Sequence, residues 1–600
     1  MSIYDYIIIG FYFGFMLLIG WVFRKHGKDT SDYFRGGGAM TWWMVGASSF
    51  VQTFTAWTFV GLAGAIYSRG SVVSWVFFTN IFGTTICMLF TAGRFRRLRV
   101  ITWIEALQQR YGNASEQFYA YFNLFTGFIY GGSGLYILAV FMSAIFGFSL
   151  STTIITVGII VTVMSASGGV WAATASDFVQ ALIVMAVICA TAILVLIHPE
   201  VGGVSGFIDK LPDTHFHWGF DVSSSVLALW LFMGVLNSIF NMNSLSGGAA
   251  RMIVVKDEKS AVKSLFIPLI GFLFMPFLAF IPSLAAVFLF PNINDLYPQL
   301  NFPKEAGYAA VSMKVLPMGM IGLLACSMFS ATMSTMDSAL NRNAAIFVKN
   351  IYQRIIRPHC GEKEAMLVAK IFTCVFGGIL IFIGIKFSEF KKLPIFELGG
   401  LIGSLLAQPL LIPMVLAIFI KKVPRWTAIF TAVAGFTTAI ITMKVIDIVA
   451  IMERFIGPLT PQDRIDISYL VPNFLVTVVC FGTFFLSMLF YKPLKPGSQA
   501  AVDVEEFFRK QETPIDLKAE GIVESDGTQA KTMGYLCLSY GIFIVLGVFI
   551  PNGVMGRIVF MAIGSGISLV GMLLLYAGSK QDIKADEMRE YISADCEPEI

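Results

Sequence analysis

Charge is what this sequence has least of. Asp, Glu, Lys and Arg make up 13% of its 600 residues and apolar residues 56%, whereas a soluble domain is about 25% charged and about 45–50% apolar. Water is therefore not the main solvent of the chain. Histidine is rarer still: there are five, His26, His198, His215, His217 and His359, all in or beside expected loops. Only His215 and His217 are close in sequence, and they read as part of a solvated loop rather than a metal site. Of the eight cysteines, Cys87, Cys189, Cys326, Cys374 and Cys480 fall inside apolar runs. Cys360, Cys537 and Cys596 have no paired spacing, so neither a disulfide framework nor a zinc site is indicated. The patterns HExxH, GxSxG and paired CxxC are absent, and nothing marks a membrane-embedded enzyme. The formal net charge of +4 is spread in short clusters between apolar runs and offers no nucleic-acid surface.

What the sequence has is long apolar runs, and its mean hydropathy is +0.75. Stretches near or beyond the roughly 20 residues that cross a bilayer as a helix recur from Ile7 to Leu575, and about fifteen can be delimited. The first, Tyr4 to Phe23, has no basic residue before it and no small-residue cleavage site after it. It is expected to stay as a transmembrane helix and not to act as a signal peptide. Lysine and arginine set the orientation, because short loops rich in them stay cytoplasmic. Such clusters follow the odd-numbered spans: Arg24, Lys25, Lys28 and Arg35 after the first; Arg94, Arg96, Arg97 and Arg99 after the third; Arg251, Lys256, Lys259 and Lys263 after the seventh. Lys349, Arg354 and Arg357 follow the ninth, and Lys421, Lys422 and Arg425 the eleventh, with Lys386, Lys391 and Lys392 the exception. The pattern predicts an external N-terminus and a cytoplasmic C-terminus. The polar stretch 492–532 reads as a cytoplasmic linker, more readily a flexible connector than a short amphipathic helix around Val504 to Lys510.

An ionised side chain at the bilayer centre costs on the order of 2.5–3.5 kcal/mol, so each one inside a span needs a partner or a task. Asp177 and Asp337 are the informative ones. Beside Asp337, the residues Ala331, Ser334, Thr335 and Ser338 fall on one helical stripe. Hydroxyls on one face, close to a carboxylate from another helix, make an all-oxygen environment suited to a hard monovalent cation such as sodium. Close helix packing also favours small residues; it accounts for Ala331, Ser334 and Ser338 but not for an aspartate. The second span, 43–66, carries Gly46, Gly61 and Gly64 and a run of Ser48, Ser49, Gln52, Thr53, Thr55 and Thr58. This composition predicts a broken helix whose freed carbonyls ligate a cation, the alternative being a polar helix buried by its neighbours. Asn237, Asn241, Asn243, Ser244, Gly247 and Gly248 mark the seventh span, 225–246, as its counterpart. Two interrupted spans at corresponding positions of two five-helix halves are the expected sign of an inverted-repeat transporter.

Further motifs are Asp32-Tyr33-Phe34 before Gly36-Gly37, Trp42-Trp43, Glu105 with Arg110-Tyr111-Gly112, and Asn350-Ile351-Tyr352. The most specific is Met333-Ser334-Thr335-Met336-Asp337-Ser338-Ala339-Leu340-Asn341. Together they resemble the sodium:solute symporter family, which includes bacterial sodium-coupled sugar, sialic acid and proline carriers. The resemblance implies an all-α polytopic membrane protein. Its core would be an inverted repeat of five plus five helices, preceded by one helix and followed by about four more. The expected units are an N-terminal helix in 1–24, repeats in 43–200 and 225–420, extra transmembrane helices in 426–491, the linker 492–532, two further transmembrane helices in 533–577 and a cytoplasmic tail, 578–600.

By the same resemblance, the main sodium site uses carbonyls near Val51 and Phe54, the carbonyl of Ala331, and the hydroxyls of Ser334 and Thr335. A second cation site, found in some members, would use Asp177, Ser334 and Ser338 with Asp337 beside them; sodium, a proton and a structural ion pair stay open at Asp337. Candidates for the solute cavity are Thr55, Trp57, Thr58, Phe77, Asn237, Asn241 and Glu397, with helix packing or lipid contact an equal alternative for the aromatic ones. Phe77 and Thr58 stand where the sugar-carrying relative has glutamate and glutamine, which weakens galactose-type recognition, and Ala250-Arg251 replaces a glutamine-arginine pair. The implied function is sodium-coupled symport of a small organic solute by alternating access, with sodium as coupling ion and no organic cofactor. The protein is expected to sit in the lipid bilayer of the inner membrane, work as a monomer and bind no nucleic acid. A transporter-like sensor and a proton-coupled symporter are the alternatives.

Overall fold

In the computed structural model, residues 1–23, 38–100, 102–167, 170–216, 223–391, 393–517 and 526–594 are described, and the side chains of Ser334, Asp337 and Ser338 are not. The motif from Asp32 to Gly37 and His217 therefore lie outside the described residues. A backbone in lipid must satisfy its hydrogen bonds internally, and helices do so locally. Among the described residues, twelve helices are long and apolar enough to cross a membrane. The expected spans 150–166 and 316–345 have shorter apolar stretches, Leu150–Ser165 and Met320–Met333, and the span 43–66 is broken.

After α1 (Ile3–Phe23), the chain forms the broken pair α2 (Trp42–Val51) and α3 (Ala63–Arg69). It continues with α4 (Trp75–Ile86), which runs through a π-helical turn into α5 (Ala92–Arg97), the short α6 (Trp103–Tyr111), α7 (Asn113–Phe146), α8 (Leu150–Ser167) and α9 (Val170–Ile197). Next come α10 (Ser224–Met242), α11 (Glu258–Ser264), α12 (Phe266–Leu289), α13 (Met320–Ile346) and α14 (Glu362–Glu389), then α15 (Ile395–Ile402) and α16 (Gln408–Leu416). The chain then forms α17 (Thr427–Lys444), α18 (Pro461–Met488), α19 (Gln499–Glu512), α20 (Asp526–Leu546) and α21 (Val554–Ala594). Local chemistry sets several boundaries. Gly147 ends α7 in the left-handed conformation (φ 74°), its N–H bonded to Ser143 O at 2.9 Å. Pro461 opens α18 under a reciprocal box, in which Asp463 N–H donates to Thr460 Oγ1 at 3.0 Å and Thr460 N–H to Asp463 Oδ2 at 3.2 Å.

Packing divides the core helices into two sets. α2, α4, α5, α10, α11 and α12 pack mainly on one another, and so do α7, α8, α13 and α14. α9 touches both sets, lying on α2, α12 and α13. The basic residues after α5, α10 and α16 meet at one end of the helices, where Arg97 pairs with Glu258 and Arg425 with Asp503 of α19; we call this end the basic face.

The last two helices form a close pair whose role the sequence left blank. Gly527, Gly534 and Gly541 of α20 face Gly578, Gly571 and Gly564 of α21. A Cβ at Gly534 would meet Gly571 O at 2.9 Å, and one at Gly571 would meet Gly534 O at 2.8 Å, so glycine is what lets these backbones approach. The hairpin leans on α1, where the rings of Phe543 and Phe11 stack with centroids 3.4 Å apart.

Two expectations about loops fail. Over its described residues up to 517 the linker is not a flexible connector: α19 is a 14-residue helix with Val504, Phe507 and Gln511 buried, because side chains three and four apart form one face. His215 is not solvated. It is 8% exposed with Nε2 3.2 Å from Tyr67 O, and its backbone packs so closely on Gly70 that a Cβ there would lie 2.6 Å from His215 Cα.

Candidate cation site and solute path

Short hydroxyl side chains compete for the backbone bonds of a helix. In α2, Ser49 Oγ donates to Val45 O at 2.9 Å, and just beyond it Thr53 Oγ1 donates to Phe50 O at 2.6 Å. Regular helix stops there: Thr53 N–H turns back to Phe50 O, Phe54 N–H to Val51 O and Thr58 N–H to Thr55 O. α13 supplies what the break lacks. Ala56 N–H donates to Thr332 Oγ1 at 2.9 Å, and Thr335 Oγ1 donates to Gln52 O at 3.4 Å. Residues 331–335 thus lie against the break, and Val51, Phe54 and Ala331 are wholly buried around it. Thr332 was missed in the sequence, although it lies three residues before Thr335 on the same face. Unwound backbone facing the hydroxyls of a neighbouring helix offers a set of oxygen ligands of the kind that suits a hard cation such as sodium. The expected counterpart is regular helix over Ser224–Met242, Asn237 and Asn241 included, and the chain leaves it only at buried Asn243, which donates to Gly83 O at 3.0 Å and accepts from Thr91 Oγ1 at 2.7 Å.

Asp177 of α9 is buried and bridges three elements. Its Oδ2 accepts from Arg251 Nη2 at 2.8 Å and from the hydroxyl of Ser48 on α2, while Arg251 Nη1 donates to Thr174 Oγ1 at 2.7 Å. The expected second cation site therefore has an arginine on its one described carboxylate. Arg251, whose place beside Ala250 carried no meaning in the sequence, is that partner.

The solute-path candidates separate. Phe54 stacks on Phe77 at 4.9 Å, and Phe77 is buried against Phe280 at 5.6 Å, so that ring is a packing element. Thr58 is buried and donates to Thr53 O at 3.4 Å, and Thr55 Oγ1 accepts from Trp57 N–H at 3.3 Å. Asn237 Oδ1 accepts from Gln408 Nε2 at 2.6 Å, whereas Asn241 is exposed. Trp57 stacks on Phe396 at 5.8 Å, and its Nε1 has no hydrogen-bond partner among the described residues. Above Phe396, 5.4 Å from its centroid, sits Arg69. That guanidinium binds Glu397 through Nη2 and Asp466 through Nη1, at 2.9 and 3.2 Å to the two carboxylate oxygens. Tyr469 OH also donates to Asp466 Oδ1, at 3.1 Å. Glu397 is thus one corner of a buried ion network that joins α3, α15 and α18 at the face opposite the basic one.

Over residues 33–435, more than half its length, the sequence matches the sodium:solute symporter family. The chain belongs to that family. The symporter is 26% identical over 478 residues to the sodium/glucose cotransporter of Vibrio parahaemolyticus, covering 73% of this chain and 85% of the relative. To the sodium/sialic acid symporter SiaT of Proteus mirabilis it is 23% identical over 439 residues, covering 71% and 86%. Its fold is similar to that of a solved Na+-coupled sialic acid symporter in a substrate-bound, outward-open state, with a TM-score of 0.64 and 20% identity over 82% of this chain and 99% of that one. The protein is a multi-pass, sodium-coupled symporter with an inverted-repeat core of five plus five helices, and Na+ is its coupling ion.

Proposed function

We propose that the symporter carries a polyhydroxylated solute by alternating access, with Na+ held between the break in α2 and α13. The observation that carries this reading is the attachment of Gln52 and Ala56 to α13 through Thr335 and Thr332. In it, Na+ is ligated by the carbonyls of Val51, Phe54 and Ala331 and the hydroxyls of Ser334 and Thr335. A second cation at Asp177, Ser334, Asp337 and Ser338 has to displace Arg251 from Asp177. The repeats run over 43–200 and 225–420. The basic face is cytoplasmic by the positive-inside rule, which puts the N-terminus outside the inner membrane and the C-terminus within, and one chain is the working unit.

For the solute, the stacked rings of Trp57 and Phe396 suit the C–H face of a sugar-like ring. The unpartnered Trp57 Nε1 and the Asn237–Gln408 amide pair suit its hydroxyls. The named cargoes of two relatives, glucose and sialic acid, are of this class. A thermal-shift titration with Na+ against K+, repeated with polyols, sugars, amino acids and carboxylates, tests both halves, since a ligand of the folded state raises its stability. Thr335→Ala and Ser334→Ala are expected to weaken Na+ binding about tenfold, the loss of about 1.4 kcal/mol. Uptake into proteoliposomes that ignores the sodium gradient, or an unchanged Na+ dependence in both variants, overturns the assignment.

A further inference from the structure

α19 lies across the basic face, with residues 503–508 on the side of α7 and its last turn on the side of α5 and α11. Residues 503–508 reach the set containing α7 through α6, which packs on α7, and through the turn after α16, where Ser115 Oγ of α7 donates to Arg425 O at 3.3 Å. Phe508 packs under two cations, with Arg110 Cζ 5.4 Å and Lys421 Nζ 5.8 Å from its centroid, and Asp503 lies 3.9 Å from Arg425. Arg110 is wholly buried in α6, and its bonds run to Ile420 O at 2.7 Å and Lys421 O at 3.1 Å, so Phe508 covers a guanidinium whose hydrogen bonds go to uncharged carbonyls and whose Cζ lies 5.0 Å from the centroid of the Tyr111 ring. The last turn of α19 and the residues after it, one turn beyond Phe508, hold the other set. Arg97 of α5 donates to Gln511 O at 3.3 Å, Arg99 to Pro514 O at 2.9 Å and Thr513 O at 3.5 Å, and Ile515 N–H donates to Glu258 Oε2 at 3.4 Å. These arginines cap carbonyls at the negative end of the helix.

Two further observations place this bridge at a joint. Arg99, which lies between α5 and α6 and so between the sets, has φ 60° and is the one non-glycine residue with positive φ among those described, a conformation held only by its surroundings. At the start of α20, Gln529 clasps the backbone just before α2: its Nε2 donates to Ala39 O at 2.9 Å, and Thr41 N–H donates to its Oε1 at 3.3 Å.

We propose that α19, with the residues up to Ile515, is a strap that must release one helix set before the basic face can open, so that its grip sets how often the transporter opens there. The strap rests on the alternating-access reading. The test uses two engineered cysteine pairs in the full chain, Arg97→Cys with Gln511→Cys and Arg425→Cys with Asp503→Cys, each bridged by a reducible bifunctional thiol reagent that spans the reach of the replaced arginine, since a direct disulfide needs a closer approach. Either alone should leave sodium-driven uptake within about twofold of its reduced form. Both together should lower uptake more than about tenfold, reversibly on reduction, while the Na+ thermal shift persists, because the closed population is then locked. Uptake by the doubly cross-linked protein at the reduced rate overturns the strap.

A second readout is independent of solute. In Phe508→Ala, amide hydrogen exchange over residues 40–46 should quicken about tenfold, as a closed state loses about 1.4 kcal/mol of its advantage. Unchanged exchange there overturns the strap even if no solute has been found. Absence of sodium-driven uptake in the wild type, with the exchange effect present, overturns the transport reading alone.

Discussion

Arg69, Glu397 and Asp466 join α3, α15 and α18 at one face with side chains that are 8%, 7% and 3% exposed, whereas Arg425 and Asp503 at the basic face are 35% and 30% exposed. Both contacts join separate elements of the fold, but the physics differs. Buried charges attract strongly and cannot be left singly in a low dielectric, so that network holds or parts as a unit. Half-exposed charges are individually weak and exchange readily with water. One face thus carries a compact buried charge network, and the other, above buried Arg96 and Arg110 on backbone carbonyls, half-exposed ion pairs spread along a helix. A transporter that samples both openings needs the second kind wherever a contact is made and broken in every cycle.

The largest expected effect comes from removing the centre of the buried network. Arg69→Ala leaves two buried carboxylates without their cation and should cost roughly 3–5 kcal/mol, seen as a large fall in the thermal midpoint of the purified protein. Replacing the three together as Arg69→Met, Glu397→Gln and Asp466→Asn should restore most of it. A triple variant no better than the single one contradicts a network of charges and points to packing of the Arg69 stem on Phe396.

Arg251→Gln sharpens the comparison within the basic half, because that half also has a buried pair beneath its surface strap. It leaves one carboxylate, Asp177, which keeps the hydroxyl of Ser48, so the expected loss is smaller, about 1–3 kcal/mol. Thermal melts with and without Na+ separate the two roles. If Arg251 excludes a second cation, the variant regains more stability on adding Na+ than the wild type does; an equal Na+ response in both leaves Arg251 as a structural partner only.

A third effect is a dependence on pH at the face of the buried network. Glu305 packs against Gly64 of α3, and its Oε1 accepts from Ile395 N–H at the start of α15 at 2.6 Å. Burial pushes its carboxyl up to about 8, the Ile395 N–H pulling the other way and the Glu397 carboxylate adding to the rise. The folded state therefore keeps a proton that the unfolded chain gives up near its ordinary value of 4.5. Stability from this group is full below that value and is lost as the pH climbs through about 8. The thermal midpoint should fall between about pH 6 and about pH 9, and Glu305→Gln should flatten that fall; parallel profiles for the two proteins rule the group out.

Hydropathy made the helices legible in the sequence, because a span is a local property of about 20 residues. The break in α2 was legible for the same reason: Gln52, Thr53 and Thr55 sit within one short polar run. The ion partners were not. Arg69 is 328 residues from Glu397 and 397 from Asp466, and Arg251 is 74 from Asp177. One sequence holds no record of which distant charges meet, so Glu397 read as a wall of the solute cavity and Asp177 as a cation ligand awaiting its ion. The strap lies between these cases. Its high charge suggested a flexible connector, yet Val504, Phe507 and Gln511 recur at the spacing of one helical face, a signal outweighed by composition and not absent.

The smallest effect is expected at that strap, and it is the one on which the comparison most depends. Asp503→Asn removes one member of a half-exposed pair 3.9 Å long and should change stability by no more than about 0.5 kcal/mol, a shift of the thermal midpoint close to the error of measurement. Phe508→Ala should cost more, because it uncovers the buried guanidinium of Arg110 and removes an aromatic face from two cations. The strap's grip would then lie in the cover it gives Arg110, with the surface charges only setting its register. If Asp503→Asn instead proves as damaging as Arg69→Ala, the basic face too is held by a strong, specific charge contact, and the contrast between the two faces is gone.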